Sequence, residues 1–217
     1  MTTLRNLYAG LALSLAAVSP ALASPAATVS AAPAADAGAL VSFKARHDKV
    51  VALVKKGASN DVLQKEVDLL LNYKALAETS LGGAGRYETK CAPRCAEFET
   101  LLARLIRENY LKRIRSDKKY EMTYLGEEVK ARGTHVRTQI ALTRDGKPEV
   151  VEVHYAMEQT PEGWKVNDII TDGVSLAKNY KFEFNKILKD KGIDELISRL
   201  EGKVSELAAR PAAPAKK

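Results

Sequence analysis

The stretch Gly163 to Leu188, GWKVNDIITDGVSLAKNYKFEFNKIL, changes its periodicity half-way, and that change decides the fold. In its first half Trp164, Val166, Asp168 and Ile170 alternate with Lys165, Asn167, Ile169 and Thr171, the pattern of a half-buried strand. After Asp172-Gly173, Leu176, Ala177, Tyr180, Phe184, Ile187 and Leu188 recur at helical spacing. A strand that passes directly into a helix fixes how a helical layer lies over a sheet, and what lies between the layers decides what the chain can hold.

Upstream of this hinge the period is two. Tyr120 to Leu125 and Glu127 to Ala131 read as one strand interrupted by a bulge at Gly126. Arg132-Gly133 turns it into a second strand carrying Val136, Thr138, Ile140 and Leu142. Asp145-Gly146 is a strong hairpin signal that leads to Val151, Val153, Tyr155 and Met157, and Pro161-Glu162-Gly163 makes the last turn before Trp164. Connections this short imply antiparallel pairing, with one face under the helices and the other wetter. The expected fold is α+β: a helical layer on a four-stranded, twisted antiparallel sheet.

The helices precede and follow the meander. Leu40, Phe43, His47, Val50, Val51 and Val54 form an apolar stripe ending near Gly57, with His47 on its inner side as a structural, hydrogen-bonded residue. Ser59 or Asn60 caps a second helix that runs through Leu63, Val67, Leu70, Tyr73 and Leu76 to Leu81, where Gly82-Gly83 stops it. A third runs from about Ala92 to Ile114. Its basic end, with Arg104, Arg107, Lys112, Arg113, Arg115, Lys118 and Lys119, reads either as a solvated face or as a landing patch for anionic headgroups or an acidic partner. Gly192 separates the helix of the opening stretch from a last one marked by Ile193, Leu196, Ile197 and Leu200.

The ends of the chain set its compartment. Arg5, the uncharged run Leu7 to Val18, Pro20 and Ala21-Leu22-Ala23 form a secretory signal over residues 1–23, and the run is shorter than the ~20 residues that span a bilayer. Residues 24–38 are an Ala/Pro-rich linker, 39–208 a single domain and 209–217 a disordered tail. Cys91 and Cys95 are the only cysteines. In an oxidising compartment an even pair is read first as a disulfide, with free thiols or a redox or metal pair as alternatives. The net charge of +7 suits nucleic acid, anionic lipid or an acidic partner; export and the lack of any recognition motif argue against nucleic acid.

Active-site patterns are weak. Ser175 lacks the second glycine of a nucleophile elbow and reads as a helix cap, while Asp168 is a single carboxylate without a matched partner. There is no glycine-rich phosphate loop, no zinc ligand set and no expected cofactor.

The C-terminal half carries Tyr124-Leu125-Gly126-Glu127, Trp164-Lys165-Val166 with Asp168, Gly173-Val174-Ser175-Leu176, Asn179-Tyr180, Phe184, Ile187, Gly192 and Leu196-Ile197. In these motifs it resembles the periplasmic phospholipid-shuttle family of the Mla system, the MlaC-like or toluene-tolerance auxiliary proteins. With Leu81-Gly82 and the helix Phe98 to Tyr110 the resemblance extends over about Leu40 to Lys203. Lys181, where arginine is usual, and the Cys91/Cys95 pair depart from the family pattern.

The resemblance implies a monomeric, non-catalytic carrier whose apolar pocket takes phospholipid acyl chains. Its expected partners are an inner-membrane ABC transporter complex and an outer-membrane lipoprotein–porin complex, and its role the maintenance of outer-membrane lipid asymmetry. The expected walls are Val136, Ile140, Leu142, Val151, Val153, Tyr155, Met157, Trp164, Val166 and Ile170 from the sheet, with Tyr73, Leu76, Leu101, Leu105 and Tyr110 from the helices. A diacyl lipid brings roughly 30 methylenes at ~0.8 kcal/mol each, so the pocket should approach the top of the usual ~300–1,000 Å³ range. By pattern alone the same side chains could simply be core. Three other readings stay open: an enzyme on a cone-shaped α+β fold with Asp168 as general base, a carrier of another lipid such as a hopanoid, and a filled protein-binding adaptor.

Overall fold

The computed structural model describes residues 38–116, 121–144 and 147–209. The expected signal segment, nearly all of the linker, the Asp145-Gly146 turn and residues 210–217 of the tail lie outside the described residues. Five helices come first: α1 (Ala39–Lys55), α2 (Asn60–Leu70), α3 (Tyr73–Ser80), α4 (Ala84–Cys91) and α5 (Cys95–Ser116). The meander β1 (Glu121–Lys130), β2 (Gly133–Arg144), β3 (Lys147–Thr160) and β4 (Gly163–Thr171) follows, then the two-residue β5 (Val174–Ser175) and the long α6 (Leu176–Ala209). The sheet is antiparallel in the order β1-β2-β3-β4-β5, so the expected four strands gain a short fifth at the sheet-to-helix hinge.

The expected single helix from residue 60 to Leu81 is two helices. Leu71 forms a parallel bridge to Val166 of β4, and the Asn72 amide donates to the Val166 carbonyl at 2.8 Å. Both bonds need extended backbone, which ends α2. The Asn72 side chain then accepts the Ala75 N–H at 3.1 Å and starts α3. The helix expected from about Ala92 is α5, beginning at Cys95, and an additional helix, α4, precedes it, joined to it across Ala92-Pro93-Arg94 by the Cys91–Cys95 disulfide. In α4 only Tyr87 and Cys91 are buried, four residues apart, too few for a readable stripe.

Two bulges set the faces of the sheet. The expected one at Gly126 leaves Leu125 without a partner between the pairs Tyr124–Thr138 and Gly126–Arg137. A second lies in β4: Val166 pairs with Met157 and Asp168 with Ala156, so Asn167 is extra. Because side chains alternate with a period of two, one extra residue exchanges the faces beyond it. Trp164 and Val166 therefore share the inner face with Met157, and after the bulge Ile169 and Thr171 take it, opposite Tyr155 and Val153. Ile170 pairs with His154 on the outer face, beside the Glu152–His154 contact, which corrects the expected placement of this residue.

Two glycines are required by geometry. A Cβ at Gly133 would stand 2.3 Å from the Met157 carbonyl oxygen. Gly192, at φ 78° and ψ −175°, breaks α6 into two arms at the position where the sequence separates two helices. The inner face of the sheet packs under α1, α2, α3 and α6, and α5 packs on those helices. Phe43 of α1 is fully buried, with its ring 4.2 Å from that of Tyr155.

Candidate functional site

The core does not close completely where α5, the inner face of the sheet and α6 meet. A cavity of about 290 Å³ lies there. Its walls are Ile106, Asn109, Tyr110, Arg113 and Ile114 from α5, Ile140, Val153, Tyr155, Ile169 and Thr171 from the sheet, and Val174, Leu176, Asn179 and Tyr180 from the hinge. A second hollow, about 590 Å³, runs inside the bend of α6 between Phe184 and Ile187 on one arm and Leu196 and Leu200 on the other. A third of about 260 Å³ touches both: it shares Asn109 with the first and Leu105 with the second. Tyr180 lines all three. The single deep pocket expected from the sequence is thus three adjoining spaces partitioned at one aromatic ring.

That ring is held by stacking. Tyr180 lies parallel to Phe184 with centroids 5.1 Å apart, and Phe184 meets Phe98 of α5 edge-on at 5.8 Å. Burial, helped by Glu183 nearby, pushes the Tyr180 phenol up to about 12, so the ring stays neutral at ordinary pH. Tyr110 forms part of the opposite wall. Its hydroxyl is 2.6 Å from Nδ1 of His47, which is buried as expected.

Of the sequence-derived wall residues, Tyr110, Ile140, Val153 and Tyr155 line the first space, and Leu105 lines the other two. Leu76, Val136, Val151, Met157 and Val166 are buried in the packed core instead. Leu101, Leu142 and Trp164 are half-buried against that core. Tyr73 is occupied elsewhere: its hydroxyl donates to Asp68 at 2.8 Å, and Arg107 grips the same carboxylate at 2.9 and 3.0 Å, which ties α2, α3 and α5 together. That ion pair also takes Arg107 out of the exposed basic patch.

The walls missed in the sequence are the end of α5, Ile169 and Thr171 beyond the second bulge, and the hinge itself. The Asn179-Tyr180 pair was the available signal for the last of these.

The family model for MlaC protein matches residues 45–202. The chain belongs to the MlaC family. A solved structure with the same fold is the phospholipid-binding protein from Ralstonia solanacearum in complex with a phospholipid. It aligns with this MlaC-family chain at a TM-score of 0.62 and 23% identity, over 79% of this chain and 99% of that one. Among curated proteins nothing matches.

Within this MlaC-family fold Asp168 has a mechanical task. One carboxylate oxygen accepts the Ile169 N–H at 2.9 Å and the Ala177 N–H at 3.1 Å, and the other accepts the Ser175 hydroxyl. Ser175 Oγ in turn accepts the Lys178 N–H at 3.1 Å, a helix cap as expected. Asp168 lines none of the three spaces. It pins β4 to the first turn of α6. Asp168→Ala should lower the unfolding free energy by about 2–3 kcal/mol in a urea titration, and Asp168→Asn, which keeps an acceptor, by less.

Proposed function

We propose that this chain is a periplasmic carrier that holds the acyl chains of a phospholipid in the spaces around Tyr180 and leaves the headgroup in water. The observation that carries the reading is an apolar hollow left open between α5, the sheet and α6, adjoined by two more around Tyr180. Membership in the MlaC family supports it, as does a fold shared with a protein solved with phospholipid bound. Transfer through water exposes roughly 30 methylenes at ~0.8 kcal/mol each, so a carrier must cover most of the hydrocarbon. The two larger spaces together offer a path for it once the Tyr180 ring turns aside.

The same reading assigns the protein to shuttling, as a monomer, between an inner-membrane ABC transporter complex and an outer-membrane lipoprotein–porin complex, in support of outer-membrane lipid asymmetry. The signal-like residues 1–23 support export. No helix among the described residues is long and apolar enough to cross a membrane. Purification from the periplasm followed by solvent extraction and mass spectrometry should recover phospholipid in near-stoichiometric amount. Recovery of protein free of any lipid would overturn the proposal, and recovery of a hopanoid would replace its cargo.

A further inference from the structure

Three cations converge on the turn between α3 and α4, and none of them lines an acyl space. A Cβ at Gly82 would lie 3.5 Å from Cδ of Arg86, 3.5 Å from Nζ of Lys90 and 3.7 Å from Cε of Lys181. Arg86 and Lys90 stand on successive turns of α4, and Lys181 comes from α6. The Lys90 ammonium is fixed by a hydrogen bond to Asn185 of α6, and its helix is anchored at the next residue by the Cys91–Cys95 disulfide. Among the described residues, Arg86 and Lys181 have no hydrogen-bond or ion-pair partner.

Like charges this close repel, and among the described residues no carboxylate is paired with any of the three. Burial and then the positive charges of Arg86 and Lys181 hold the Lys90 ammonium below its ordinary value. Several other cations of the chain are paired: Arg94 with Glu97 and Asp194, Arg107 with Asp68, Lys44 with Asp48. An uncompensated trio around a residue without a side chain is a place where a bound anion would relieve the repulsion. A tetrahedral oxyanion presents several accepting oxygens to donors arriving from two helices, which a planar carboxylate cannot match as well.

We infer that Arg86, Lys90 and Lys181, gathered around Gly82, form a binding site for a phosphate group. The site is separate from the acyl spaces and does not depend on the carrier reading. The phosphate belongs either to a lipid headgroup at a bilayer surface or to a free phosphate.

The test is a titration of the isotope-labelled mature protein with inorganic phosphate, following the backbone amides of Gly82 to Gly85 by NMR. Saturable shifts are expected in the wild type. Binding should be about tenfold weaker or worse in Arg86→Gln and in Lys181→Gln, retained in Lys181→Arg, and unchanged in Lys189→Gln, an exposed cation on the same helix. Shifts that never saturate, or that saturate equally in all variants, overturn the inference.

A second arm uses phosphatidylglycerol vesicles in phosphate-free buffer. Co-sedimentation that Lys181→Gln abolishes assigns the phosphate to a headgroup. A response to inorganic phosphate with none to vesicles assigns it to a free ion. Failure in both arms leaves the lipid recovered from the acyl spaces unaffected, so the two readings fail separately.

Discussion

Ile169→Trp should strip the purified protein of its lipid, whereas Ile170→Trp, one residue on, should leave it bound. Ile169 pairs with Tyr155 on the inner face and lines the cavity of about 290 Å³; Ile170 pairs with His154 on the outer face. An indole at position 169 occupies the volume that hydrocarbon would otherwise take. Displacing only four methylenes forfeits about 3 kcal/mol at ~0.8 kcal/mol each. At about 1.4 kcal/mol per decade that is roughly a hundredfold in affinity, enough to lose the ligand during purification. Overpacking elsewhere in a core costs about 1–3 kcal/mol of stability, and here the open space should keep the cost at the lower end. The measurement is lipid per protein by mass spectrometry, with far-ultraviolet circular dichroism to show that both variants fold. Full lipid occupancy in Ile169→Trp, or loss from Ile170→Trp alone, would show that the hollow lies elsewhere.

This pair of substitutions also marks the boundary of what the amino-acid pattern could express. The meander was readable because alternation, Gly126 and the turn residues agree, and the first bulge announces itself by its glycine. The bulge at Asn167 has no such marker, so strict alternation carried Ile170 to the wrong face. The break between α2 and α3 is hidden for a related reason. Leu71 continues the apolar stripe of the helix, and only its bridge to Val166, a residue 95 positions away, draws it into extended backbone.

The cavity was the least legible feature. Ile140 lines it and Val136, four residues earlier on the same face of β2, is packed core. Both are buried aliphatics at inward positions. Whether such a side chain meets another side chain or a void depends on how the two arms of α6 lie and how Tyr180 stacks, neither of which the alternation along β2 encodes.

Acid should weaken this protein through His47, over a defined window. The imidazole is 1% exposed, stacked on Phe43 at 5.5 Å and bonded to the Tyr110 hydroxyl at 2.6 Å. Burial, opposed by Asp48 and reinforced by Lys44, lowers its pKa from 6.5 to about 4. Between these values the unfolded chain binds the proton and the folded one does not, so stability rises with pH across the window and is complete above 6.5. As pH falls from 6.5 to 4 the protein should lose about 3 kcal/mol, at about 1.4 kcal/mol per unit. Asp48 acts in a different range. Burial alone would raise its carboxyl, but hydrogen bonds from Lys44 and Tyr124 outweigh this and hold it below 3.8, so its contribution fades only at lower pH.

Urea titrations at pH 7 and pH 5 separate the cause. The wild type should lose about 2 kcal/mol between them, and His47→Gln, which keeps a polar side chain but cannot titrate, should lose much less. An equal loss in both proteins would place the acid-sensitive group elsewhere. Because Tyr110 forms part of the cavity wall, the proton that destabilises His47 is also expected to loosen the acyl site, and lipid release should begin in the same pH window as the loss of stability.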